Sequence, residues 1–123
     1  MKVNRIIIFF QNYYVWCTLP LMILIASVSL FPLSELPPIP GSDKTHHLIA
    51  YAVLAFPVSV ARPQRWLWGL VGFLLFSGAI ELVQPYVNRY GEWADLFANG
   101  LGLLIGAISA QVLLYFNKKN LSG

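Results

Sequence analysis

Apolar residues run along this chain in four blocks, separated by short polar or proline-rich breaks. The first block, Tyr13 to Phe31, is long enough to cross a bilayer, which takes about 20 helical residues. Lys2 and Arg5 precede it, as charges precede a secretory signal. The length of the run and the poor cleavage site at Ala26–Ser29 favour an uncleaved membrane helix instead. Tyr13, Tyr14 and Trp16 suit an interfacial aromatic belt, and Pro20 predicts a kink. Phe31 to Gly41 holds four prolines in eleven residues, which excludes a helix and predicts a stiff, polyproline-like link. The second block opens at Ser42-Asp43-Lys44, with Ser42 or Asp43 as N-cap, and runs to about Ala61 with a bend at Pro57. Arg62-Pro63-Gln64-Arg65 forms a basic turn. Trp66 to about Val87 is the third block, Asn88 to Trp93 a turn, and Ala94 to Phe116 the fourth block.

Composition sharpens this picture. Of 123 residues, 58% are hydrophobic and 11% charged, where a soluble domain carries about 25% charged residues. Mean hydropathy is +0.66. The expected architecture is all-α, a four-helix transmembrane bundle formed by a single domain over residues 1–123. The net charge of +3 gathers on no basic face, so nucleic acid is not an expected partner. Cys17 is the only cysteine and lies in an apolar run, where it reads as a small buried hydrophobe.

Charge placement sets the expected topology. With the N-terminus inside, Lys2, Arg5, Arg62, Arg65, Lys118 and Lys119 are cytoplasmic, six basic residues against Lys44 and Arg89 outside. Both termini are then cytoplasmic. The proline-rich link and the Asn88–Trp93 turn share the outer face.

That topology gathers the chain's most unusual residues. Glu81 to Gly106 begins in one apolar block and ends in the next, yet carries Glu81, Gln84, Asn88, Arg89, Glu92, Asp95 and Asn99. A charge at the centre of a membrane helix costs about 2.5–3.5 kcal/mol on insertion scales, so such groups tend to pair, face the bundle interior and serve a function. Asp43, His47 and Tyr51 are spaced by four and share a helix face, as do Asp95 and Asn99, while Glu81 and Gln84 stand three apart. Gly102 and Gly106 share the Asp95–Asn99 face and read as a helix-packing pattern. The plain alternative is that the polar set only holds helices together. Interhelical hydrogen bonds in membranes average about 0.6 kcal/mol, a small return for so many ionisable groups.

The ordered set Asp43-Lys44-x-x-His47-x-x-x-Tyr51, Glu81-x-x-Gln84, Arg89 and Asp95-x-x-x-Asn99-x-x-Gly102 resembles the VanZ-like family of small bacterial membrane proteins. The likeness covers residues 43–106. Asn88 stands where that family commonly has glycine before the arginine, and His46 lies outside its pattern. The resemblance implies a multi-pass protein of the bacterial cytoplasmic membrane, associated with teicoplanin resistance, and it names no reaction.

Three functions are compatible with these residues. In the first, the protein binds or modifies a cell-envelope lipid or lipid-linked component at the outer interface. Lys44 and Arg89 hold phosphate, with Gln84, Asn99 and Tyr51 as further ligand-binding groups. In the second, it is an integral-membrane enzyme of phosphoryl or acyl transfer or hydrolysis. The catalytic candidates are then His47 as base, Asp43 or Asp95 as its support, and Glu81 as acid. No Gly-x-Ser-x-Gly elbow supplies a nucleophile. Asp43, His47, Glu81 and Asp95 are conceivable metal ligands, but no His-Glu-x-x-His signature accompanies them, so the expectation is no metal and no cofactor. In the third, Glu81 and His47 relay protons or ions.

Overall fold

The computed structural model describes residues 2–31, 43–87 and 93–122, and within them the chain is helical without a strand. Helix α1 spans Lys2–Leu30, α2 Asp43–Ala61, α3 Trp66–Val83 and α4 Trp93–Ser122. A 3-10 turn, Gln84–Val87, continues α3. The proline-rich link, the Asn88–Glu92 stretch with Arg89, and the residues expected to cap α2 (Ser42 and the Asp43 side chain) lie outside the described residues.

Local chemistry explains most boundaries. α2 ends at Ala61 because Arg62 precedes Pro63, whose ring disfavours helical backbone at the preceding residue. Arg62 turns to φ 50° and Arg65 to φ 62°, so two left-handed residues reverse the chain. The Arg62 amide still donates to the Val58 carbonyl at 2.8 Å. α3 gives way to the tighter turn at Gln84, just before Pro85, which has no N–H to continue the ladder.

Two helices are longer than their apolar blocks. α1 begins at Lys2, not Tyr13, and α4 continues to Ser122, beyond Phe116. Hydropathy marks the part of a helix that suits lipid, not where its hydrogen bonding starts. The early turns of α1 also have something to bury: Ile7 packs with Val60 and Ala110. In α1 the non-helical backbone falls at Tyr13 (φ −126°, ψ 15°), while Pro20 sits within the helix.

The interior holds polar residues beside its apolar core, and the outside is largely apolar. Ser77, Gln84, Asp95, Asn99 and Glu81 are all buried, whereas Trp16, Ile23, Trp68, Leu75 and Phe97 each expose two thirds or more of their surface. Water would not tolerate so much exposed apolar surface on one small chain. Asn4–Leu30, Trp66–Val87 and Trp93–Leu121 are each long and apolar enough to cross a membrane. This is a membrane protein with several such helices. The fourth helix differs: the polar first turns of α2 leave only Leu48 to Ala61 as uninterrupted span, about 21 Å at 1.5 Å per residue.

α2 is the centre of the bundle and α4 its closest neighbour. A Cβ on Gly102 would collide with the Leu48 carbonyl, and one on Gly106 with the Ala52 carbonyl. The two backbones therefore touch, as the small-residue pattern predicts. At one end of the bundle, the start of α2 meets the start of α4, and the Gln84 amide donates to the Ser29 carbonyl of α1 at 3.1 Å. At the other end, Phe10 stacks edge-on against Phe56 at 5.6 Å, and the Gln111 amide donates to the Ser59 carbonyl at 3.0 Å.

Candidate functional site

The backbone contact between α2 and α4 fixes where the polar side chains meet. Asn99 lies one turn before Gly102 and His47 one residue before Leu48, so the same seam brings them face to face. His47 Nδ1 and Asn99 Oδ1 are 2.8 Å apart. Asn99 Nδ2 donates to Ser77 Oγ on α3 at 2.5 Å. With the amide nitrogen committed to Ser77, the amide oxygen accepts, and His47 Nδ1 carries the proton it receives. Neutral His47 therefore presents Nε2 as a lone pair. Ser77 is also the hydrogen-bond partner of the Tyr51 hydroxyl, one turn below His47. The result is a chain of contacts, His47–Asn99–Ser77–Tyr51, that ties α2, α3 and α4 together.

Two carboxylates complete the arrangement. Glu81 lies one turn after Ser77 on α3, and Asp95 one turn before Asn99 on α4. His47, Glu81 and Asp95 each offer a donor atom, and these three atoms lie within 4.8 Å of one another. Glu81 and Asp95 are 7% and 3% exposed, so the carboxylates sit inside the protein, not on a solvated loop. Lys44 reaches Asp95 at 3.8 Å with half its side chain still exposed. A groove of about 650 Å³ is lined by Lys44 together with Leu48, Trp93, Phe97, Ala98 and Leu101.

Of the nine residues singled out from the sequence, six meet here: Lys44, His47, Tyr51, Glu81, Asp95 and Asn99. Gln84 is buried but turns to α1, where it bridges helices instead of joining the cluster. The Asp43 side chain and Arg89 lie outside the described residues. Sequence reasoning missed Ser77. Its signal was a lone hydroxyl four residues before Glu81 in an otherwise apolar run, which places it on the same helix face.

The cluster can hold a proton, a cation or a polar headgroup, and its lone-pair nitrogen can serve as a base. A conducting path has less to work with. No Asp, Glu, His, Lys or Arg lies between this cluster and the opposite end on α2, α3 or α4. Comparison of the chain with protein-family models, curated proteins and solved structures returned no match.

Proposed function

We propose that this protein seats an anionic, acyl-chain-bearing component of the bacterial cell envelope at the outer face of the cytoplasmic membrane. The observation that carries the reading is the groove between the first turns of α2 and α4. Its lining is mostly apolar and includes Lys44, which also reaches the buried Asp95 at 3.8 Å. An acyl chain fits the apolar lining, and the Lys44 ammonium can pair with a phosphate group. A volume of about 650 Å³ lies within the range of about 300–1,000 Å³ typical of small-molecule sites. On this reading α2 is a fourth crossing and both termini are cytoplasmic, as the Lys and Arg distribution favours. Membership of the VanZ-like family, and an effect on susceptibility to the acylated antibiotic teicoplanin, belong to the same proposal.

Catalysis on the seated component is the second reading. It is favoured by one observation: His47 is oriented through Asn99 so that Nε2 carries the basic lone pair.

Native mass spectrometry of the full chain released from mild detergent tests the proposal. Wild type is expected to carry a discrete phosphate-containing lipid. Lys44→Gln and Ala98→Trp, which remove the cation and fill the groove, are expected to lower its occupancy at least fivefold at unchanged melting temperature. Equal occupancy in all three proteins would sink the reading. Altered mass of the bound lipid in wild type but not in His47→Gln would establish the catalytic one.

A further inference from the structure

We infer that His47, Glu81 and Asp95 form a binding site for a single divalent transition-metal ion, with Zn²⁺ the best-matched candidate. The argument rests on the donor set, the way it is held and the way in.

Three atoms no more than 4.8 Å apart have a common centre within about 2.8 Å of each, that is, 4.8 Å divided by √3. Zinc bonds to imidazole nitrogen and carboxylate oxygen are about 2.0–2.2 Å long, so inward shifts of under about 1 Å complete the coordination. The donors come from three helices and include one imidazole nitrogen and two carboxylate oxygens. Imidazole selects Zn²⁺, Fe²⁺ or Ni²⁺ over Mg²⁺ and Ca²⁺, which prefer all-oxygen shells of six or more ligands. Cys17 belongs to no such group among the described residues, so a thiolate site is not in question.

The second observation is independent of the donors. A metal-binding histidine characteristically donates its other ring N–H to an oxygen acceptor, which fixes its tautomer and aim. His47 does this through Nδ1 to Asn99, and Asn99 is itself held by Ser77, and Ser77 by Tyr51. A histidine serving only as interhelical support has no need of an outer shell three residues deep. The way in is by Lys44, which both lines the groove and reaches Asp95. Lys44 lies beside Asp95 at 3.8 Å, and its exposed chain is long enough to swing aside as an ion enters.

Three protein ligands leave a fourth position open. That position suits a water or a phosphate oxygen. This last point rests on the proposed lipid seat, whereas the metal site itself does not.

The full chain in detergent, stripped with a chelator and desalted, is titrated with Zn²⁺ by calorimetry, and metal content is counted after gel filtration. One Zn²⁺ per chain is expected. His47→Gln, Glu81→Gln and Asp95→Asn should each weaken binding at least tenfold, while His46→Gln should leave it intact. A zinc K-edge absorption spectrum of wild type, which needs no variant to fold, should show nitrogen and oxygen ligands with one imidazole. Substoichiometric binding, loss in His46→Gln equal to that in His47→Gln, or a spectrum without imidazole overturns the site. Lipid occupancy is then measured with and without Zn²⁺. Zinc bound at one per chain with no retained lipid would retire the lipid seat and leave the metal site standing.

Discussion

At the scale of single residues, Asn99 is the pivot of the buried network. Its amide touches both His47 on α2 and Ser77 on α3. Asn99→Ala removes two interhelical hydrogen bonds and strands the His47 N–H. Membrane hydrogen bonds average about 0.6 kcal/mol with a maximum near 1.7, so a loss of about 1–2 kcal/mol is expected in unfolding from mixed micelles. Ser77→Ala also removes two interhelical contacts, to Asn99 and to Tyr51, and should lose a similar amount. A loss confined to Asn99→Ala would mean that Ser77 is no part of the network. The sequence allowed Asn99 and Asp95 to be paired with His47, because helical spacing puts ionisable groups on shared faces. It did not anticipate the Gln84 contact with the Ser29 carbonyl, because the chain turns to 3-10 geometry at Gln84 and α1 lies alongside. Only the three-dimensional course of α1 decides that.

At the scale of elements, the seam between α2 and α4 dominates. Gly102→Ala sets a methyl group against the Leu48 carbonyl, and Gly106→Ala one against Ala52. Overpacking costs about 1–3 kcal/mol in ordinary cores, and backbone yields less than side chains, so a loss of at least about 3 kcal/mol is expected for either. Gly69→Ala on α3 meets nothing within 4 Å and removes a helix-interior glycine, so it should stabilise by up to about 1 kcal/mol. Parallel melting curves of the three variants make the comparison. A tolerated Gly102→Ala would show that the helices stand further apart than described. The helices themselves were legible because lipid-length apolar blocks and prolines leave few alternatives. Their ends were less so: charged turns at Lys2–Arg5 and Lys118–Lys119 are good helix formers outside the span, which a hydropathy reading discards.

At the scale of the whole molecule, exposed apolar faces on three membrane-length helices place the chain in a membrane, and orientation is the next property to measure. Cysteines introduced at Gln64 and at Glu92 of a Cys17→Ala background separate the alternatives in intact cells. Impermeant maleimide is expected to label position 92 and spare position 64; the reverse pattern would invert the orientation. The turn that carries Gln64 is a compact one, with the Arg62 guanidinium 5.8 Å over the Trp66 ring, so the spared site is also a well-ordered one. Seen at this scale, the backbone contact between α2 and α4 has a consequence for how the polar cluster works. His47 and Asp95 ride on two helices locked backbone to backbone, while Glu81 arrives on α3, which meets α4 through the Ser77–Asn99 side-chain contact. The cluster therefore takes two of its three titratable groups from one rigid seam, and only the third depends on how α3 is seated.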